Sequence, residues 1–244
     1  MPRRSILVLD SPDTHWTSLI QEYFQDTSSQ VDCFDAAAPA GQALDKTGHD
    51  LAFINPKLLN LALTQKLLSV RQTRPDFRIF GLGKAAQANK IPYSALFEEE
   101  ISLFDFSKKV VEAVPLPEAI QVVVVDDEEA IAAMVCDYLK GRSNPVFQVR
   151  YAKNGEEGMR HLTEKQPDVL ILDIKMPVKD GREVYREIQA KKWNFPVVVF
   201  FDAVSAHEML EIRKAGNPVV LEKGSRESTM PEMMVLIKKL AFFG

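Results

Sequence analysis

A chain of 244 residues with 46% hydrophobic and 26% charged side chains holds enough apolar material for one large core or two ordinary ones, which excludes disorder and fibrous structure. A net charge of -4, a pI near 5.7 and the lack of any block of five or six like charges exclude a broad electrostatic footprint for nucleic acid. Cys33 and Cys136 lie far apart, without the spacing or nearby histidines of a zinc site, and read as free thiols of a reducing compartment.

The chain opens Met1-Pro2-Arg3-Arg4, but the apolar run that follows is broken by Asp10, too soon for a signal-peptide core. No apolar run approaches the roughly 18 residues of a membrane span, so a cytoplasmic location without membrane attachment is expected. Ile6 to Leu9 read as a strand ending in Asp10. Trp16, Leu19, Ile20, Tyr23 and Phe24 follow at i, i+3, i+4, i+7 and i+8, one apolar helix face whose aromatics are expected in the core. Leu51 to Ile54 form a further strand, introduced by Asp50 and followed by Asn55. Gly81-Leu82-Gly83 lacks the third glycine and the later acid of a dinucleotide fingerprint. Glu98 follows Gly83 by only 15 positions, leaving little room for a full fourth helix.

Val114-Pro115-Leu116-Pro117-Glu118 marks the boundary: two prolines interrupt a helical pattern and form a short, stiff linker that should hold the flanking domains in touch or in one orientation. Beyond it, Val122 to Val125 are a continuous apolar run of the kind buried on both faces of a parallel sheet. Ile131, Met134, Val135, Tyr138 and Leu139 give a helix face ending at Gly141. Phe147, Val149 and Tyr151 alternate as a strand, Asn154-Gly155 turns, and Met159 and Leu162 belong to a second helix. Val169 to Leu172, Pro196 to Phe201 and Val219 to Leu221 supply the remaining strands. The helices between them run through Val184 and Ile188, and from Met209 to Ile212. A last helix is expected to begin near Thr229, with Glu232 completing a capping box, and to carry Met230, Met233, Met234, Ile237 and Leu240. Packing is favoured for at least one of the three methionines over a partner surface.

That is five β-α units, and the first half repeats their rhythm. Asp10 to Asn55 spans 45 residues, Asp126 to Asp173 spans 47. The expected fold is α/β: two tandem doubly wound sheets of five parallel strands, with residues 1–114 as one domain, 115–118 as linker and 119–244 as the other.

In an open parallel α/β sheet, functional groups collect where the strands end at their carboxyl edge. Asp126 and Asp127 close the first strand of the second copy, Asp173 the third and Lys223 the fifth. Three converging carboxylates repel unless a hard cation sits among them, and oxygen ligands with waters suit magnesium. A carboxylate can attack phosphorus, and the metal and Lys223 would neutralise the phosphoryl oxygens. Taken singly, each residue also reads as a helix cap or a solvated side chain; four in register at strand ends do not.

These residues resemble the receiver domain of bacterial response regulators. The likeness rests on Val122-Val123-Val124-Val125-Asp126-Asp127-Glu128-Glu129, on Pro167 through Pro177, on Asp180-Gly181 and on Gly216 through Lys223, and covers the whole second half. The resemblance implies a flavodoxin-like fold with strand order 2-1-3-4-5. It implies Asp173 as phosphoacceptor, magnesium held by Asp127, Asp173 and the Lys175 backbone carbonyl with Asp126 acting mainly through water, and Lys223 paired with the phosphoryl group. The donor would be a sensor histidine kinase or a histidine phosphotransfer protein. Output would pass through an unknown downstream protein without nucleic acid or catalytic turnover, since no residues are expected to remain for an output domain. Receivers often pair through their last helices, so a homodimer is an open expectation.

Three positions depart from the family pattern. Phe201 and then Asp202 stand where a Thr or Ser hydroxyl is usual, Val220 stands at the switch aromatic, and Gly224 replaces the proline that commonly follows the lysine. The conformational readout should therefore be atypical. The first copy resembles the family weakly: Asn55 stands at the phosphoacceptor position, Ser11 at the second acid and Glu98 near the lysine, which reads as a pseudo-receiver used for interaction. A constitutive scaffold that needs no phosphorylation is the competing reading. An aspartyl-intermediate phosphohydrolase is disfavoured because Asp173 is followed by Ile174-Lys175 and not by Asp-x-Asp.

Overall fold

Continuous apolar runs become the central strands in both halves of the chain, as sheets covered by helices on both faces require. In the computed structural model the chain divides into two units, residues 2–115 and 116–242. The structure describes residues 3–46, 48–84, 90–141, 144–202, 206–224 and 226–244, with only the backbone of Ala206 and Arg226.

The first unit runs β1 (Ser5–Leu9), α1 (His15–Phe24), β2 (Gln30–Phe34), α2 (Ala37–Lys46), β3 (Leu51–Ile54), a 3-10 turn (Pro56–Leu58), α3 (Leu61–Thr73), β4 (Arg78–Leu82), β5 (Ala95–Phe97) and α4 (Leu103–Ala113). Its strands are parallel in the order β2-β1-β3-β4-β5. Between β4 and β5 only Lys84 among the described residues is helical, in a 3-10 conformation. Residues 85–89 of the short segment lie outside the described residues.

The second unit runs β6 (Ala119–Val125), α5 (Glu129–Lys140), β7 (Val146–Ala152), α6 (Gly155–Glu164), β8 (Val169–Asp173), α7 (Gly181–Ala190), β9 (Val197–Phe201), α8 (Ala206–Ala215), β10 (Val219–Glu222) and α9 (Arg226–Phe243). Its parallel sheet has the order β7-β6-β8-β9-β10, the same topology. Both sheets are the doubly wound α/β arrangement expected from the strand runs.

Strand alternation divides β6 between two cores. Val122 and Val124 pack with Ala132, Val135 and Leu139 of α5 and Met230, Met233, Ile237 and Leu240 of α9. Val123 and Val125 face the opposite layer, with Met159 and Leu162 of α6, Val184 and Ile188 of α7 and Ile212 of α8. The methionines of α9 are core: Met230 and Met233 are buried, and Met234 packs against the same cluster.

One bond recurs in both units. The Asp50 carboxylate accepts the backbone N–H of Ser5 at 2.9 Å, and the Asp168 carboxylate accepts that of Gln121 at 2.7 Å. Each acid precedes the third strand of its unit and ties it to the first, so the matching Asp-strand patterns carry the same structural duty. Asn154 departs from its expected role as a turn residue: it N-caps α6, accepting the N–H of Glu157 at 3.0 Å. The last helix begins at Arg226, three residues before Thr229. Thr229 is therefore inside the helix, buried, and accepts the Gly224 N–H at 3.0 Å. Its hydroxyl secures the loop after Lys223, a duty that the spacing to Glu232 imitates as a capping box.

The core of the first unit centres on stacked aromatic rings. Phe53 of β3 stacks on Phe80 of β4 at 4.7 Å between centroids and lies 5.7 Å from Phe106 of α4, which stacks on Phe97 of β5 at 4.7 Å. All four rings are fully buried. Truncating Phe53 removes the ring shared by β3, β4 and α4, so Phe53→Ala should lower stability by about 3–5 kcal/mol. Urea denaturation followed by circular dichroism would read that loss as a lower midpoint of the first unit's transition.

Candidate functional site

The carboxyl ends of β6, β8 and β10 bring four side chains of the second unit together. Asp126 leaves β6 directly, Asp173 is the last residue of β8, and Lys223 follows β10. The Lys223 Nζ lies 3.0 Å from Asp126 Oδ2 and 3.2 Å from Asp173 Oδ1, with its side chain only 5% exposed. The carboxylates of Asp126, Asp127 and Asp173 each offer an oxygen within 4.8 Å of the others. Asp127 is the exposed member.

Local structure fixes each of these groups. The Asp126 Oδ1 accepts the backbone N–H of Glu128 at 2.9 Å, which orients the carboxylate just before α5. Asp173 is held by close backbone packing. The Gly181 N–H donates to Ile174 O at 2.9 Å, and a Cβ on Gly181 would stand 2.0 Å from the Asp173 carbonyl oxygen. Asp180 and Glu183 form a reciprocal capping box that starts α7 at that glycine. The Asp-Gly pair thus sets the distance between the β8 end and the following helix.

The electrostatics call for a cation. Burial pushes the Asp173 carboxyl up to about 6; Lys223 opposes that rise and the neighbouring Asp126 adds to it. Burial also raises Asp126, against the Glu128 N–H and Lys223. Burial works against the Lys223 ammonium too, but its contacts to Asp126 and Asp173 outweigh it and hold its pKa above the usual lysine value. Two buried carboxylates against one ammonium leave a negative charge that a proton or a further cation must answer. The span of the three carboxylates is close to the roughly 4 Å across the ligand shell of a hexacoordinate magnesium ion, so this donor set fits a hard divalent cation.

A cavity of about 130 Å³ opens beside these groups, lined by Glu128, Asp173, Ile174, Lys175, Phe201, Asp202 and Lys223. Lys175 lines it, with its ammonium lying 3.9 Å from Glu208. Glu128 had no assigned role from the motif. It occupies the N-cap of α5 without a side-chain capping bond and instead reaches Lys223 at 3.4 Å. The acid run Asp126 to Glu129 carried that signal, but nothing in it shows which acid turns inward. Phe201 and Asp202 line the pocket where a hydroxyl was looked for, and Val220 is 37% exposed on β10.

The matching edge of the first unit is chemically different. Asp10 is buried, and both its carboxylate oxygens are taken by neutral donors: Asn55 Nδ2 at 2.8 Å and the Thr14 hydroxyl. Asn55 also accepts the Lys57 N–H at 3.0 Å. Tyr23 and Phe24 are buried as the helix stripe requires, but Trp16 is only half buried and lines a cavity at this edge. Its place in the first turn of α1, at the open end of the sheet, outweighs its place in the stripe.

Comparison with known proteins identifies the second unit. Residues 122–235 match the response regulator receiver domain family, so this unit is a receiver domain, a module of two-component phosphorelay signalling. The chain is 36% identical over 83 residues to a protein-glutamate methylesterase/protein-glutamine glutaminase of Clostridium acetobutylicum, across 34% of this chain and 24% of that enzyme. It spans about a quarter of the length of that relative. Among solved structures, the response regulator domain of Thermotoga maritima CheB aligns at 24% identity and a TM-score of 0.46, covering 52% of this chain and 98% of that one. The receiver domain of the Francisella response regulator 1452 aligns at 23% identity and a TM-score of 0.42, covering 49% and 96%. Among the described residues no helix is long and apolar enough to cross a membrane.

Two outcomes test the site's construction. A methyl group on Gly181 has backbone in its way, so Gly181→Ala should cost about 1–3 kcal/mol in chemical denaturation and disturb the pocket with it. Asp173, whose folded pKa of about 6 lies above its ordinary value of 3.8, favours the folded state fully only at low pH and loses that contribution as pH rises through 6. In metal-free protein, Asp173→Asn should therefore be more stable than wild type at pH 7.5, by up to about 3 kcal/mol, with the difference vanishing below pH 4. A mutant as unstable as, or less stable than, the wild type across that range would refute the uncompensated charge.

Proposed function

We propose that this protein is a response regulator whose second domain, residues 119–244, accepts a phosphoryl group on Asp173 from a phosphohistidine donor and signals by protein contact. The observation that carries the reading is Lys223, buried between Asp126 and Asp173 at 3.0 and 3.2 Å with Asp127 beside them. A carboxylate oxygen of Asp173 attacks phosphorus, the bond from phosphorus to the donor imidazole breaks, and an acyl phosphate forms as the histidine leaves with the bonding electron pair. Asp126, Asp127, Asp173 and the Lys175 backbone carbonyl would hold magnesium, which supplies charge neutralisation on the phosphoryl oxygens. Lys223 already stands in reach of the Asp173 oxygen and pairs with the incoming group.

The donor would be a sensor histidine kinase or a histidine phosphotransfer protein, and the setting cytoplasmic. The first domain, residues 1–114 before a linker at 115–118, acts as a pseudo-receiver: Asn55 is not a nucleophile, and its amide already occupies Asp10. A second reading, a constitutive scaffold of receiver folds, is favoured by one observation. Phe201 offers no hydroxyl to the pocket, and Val220 offers no aromatic ring to turn inward.

Incubation with magnesium and acetyl phosphate, followed by intact-protein mass, separates the two. Wild type should gain one phosphoryl group, Asp173→Asn none, and the gain should disappear when the divalent cation is chelated. A folded wild-type protein that stays unmodified would transfer the argument to the scaffold.

A further inference from the structure

We infer that the first domain carries a binding site for a mononucleotide at the carboxyl edge of its sheet. A cavity of about 360 Å³ lies there, lined by Trp16, Asn55, Lys57, Leu82, Gly83 and Lys84. It occupies the edge where open parallel sheets place their ligands, beside the ends of β3 and β4 and the first turn of α1. Its size falls within the roughly 300–1,000 Å³ of small-molecule pockets, whereas the second domain's cavity of about 130 Å³ suits little more than a phosphoryl group.

The lining sets the ligand's chemistry. Among the described residues no carboxylate lines this cavity, in contrast to the acid-rich edge of the other domain. Asp10, the acid at the end of β1, is only 2% exposed, and each of its oxygens already accepts a bond, from Asn55 and from Thr14. Lys57 is exposed and has no carboxylate partner among the described residues. Lys84 pairs with Glu99 at 3.1 Å, but both side chains are 76% exposed, and an anion can displace a pair so open to solvent. Two ammonium groups at the rim of one pocket select a phosphate or another small anion.

Trp16 adds the second requirement. Its ring packs against Phe97 at 5.9 Å and His15 at 5.3 Å, which steadies it, while it stays half buried and lines the cavity. An indole beside an apolar Leu82 wall offers a planar partner surface for a ring. Gly83, at φ +80, has none of the described residues within 4 Å of where a Cβ would stand, apart from its chain neighbours, which suits close approach of a ligand to the backbone. A ligand that joins a planar ring to a phosphate satisfies both halves of the lining. The inference does not depend on the receiver reading of the second domain.

The chain contains two tryptophans, so Trp193→Phe in the full-length protein leaves Trp16 as the sole indole reporter. Titration with AMP, GMP, CMP and UMP should give a saturable change in Trp16 fluorescence for at least one of them, matched by calorimetric heat. Lys57→Glu and Lys84→Glu should each weaken that binding about tenfold, with the circular dichroism spectrum unchanged. Asp173→Asn should leave it intact. Silence toward all four nucleotides in both assays overturns the inference. So does adenosine binding as tightly as AMP, which would remove the anion from the recognition, or inorganic phosphate binding as tightly, which would remove the ring.

Discussion

Lys223 held between Asp126 and Asp173 is the contact on which the second domain's site depends. Each partner comes from a different strand end, so the ion-pair geometry exists only if β6, β8 and β10 stand in register. The register is enforced from below by alternating valines that fill two separate cores, and from beside by Gly181, which lets α7 approach the Asp173 backbone. Breaking a buried charge pair leaves an unpaired charge in a poorly solvated place, a far larger penalty than losing an exposed pair. The fold therefore brings the acids together at a cost that a bound cation can offset.

The two domains show how one topology supports opposite electrostatics at the same edge. Asp10 and Asp126 both follow the first strand and both are buried. In the second domain the remaining charge is answered by an ammonium and calls for a cation; in the first, an amide and a hydroxyl satisfy the carboxylate by hydrogen bonds alone. The exchange at the third strand, Asn55 against Asp173, contributes to that difference beside Ser11 at the position of the second acid and Glu98 near that of the lysine. An amide can donate to the neighbouring acid, where a second carboxylate would repel it. Asn55 is thus a structural partner of Asp10 as well as a poor nucleophile.

Much of this was legible in the amino-acid order because strands are short-range patterns with a polar punctuation mark. Val122 to Val125 followed by Asp126, or Val169 to Leu172 followed by Asp173, declares both the strand and the acid at its end. What stayed hidden depends on direction in space. Helical spacing places Trp16 with Tyr23 and Phe24, yet the indole, in the first turn of α1, lines a cavity and stays half buried. Four consecutive acids from Asp126 to Glu129 do not say that Glu128 is the one turned to Lys223. Thr229 and Glu232 have the spacing of a helix start, but the helix begins three residues earlier and the hydroxyl holds the Gly224 amide instead.

The departures at Phe201 and Val220 bear on how a charge change at the pocket reaches the surface. Phe201 sits partly buried against the core shared by α6, α7 and α8, with no hydroxyl to follow a phosphoryl group. Val220 lies on β10, the edge strand, and is partly exposed already. Glu128 links the pocket to the surface through its contact with Lys223. It is the one exposed carboxylate that touches Lys223, and it begins α5, where negative charge also meets the helix dipole. A group that draws Lys223 away from Glu128 would change the electrostatics of that helix start directly, with no aromatic side chain required to turn.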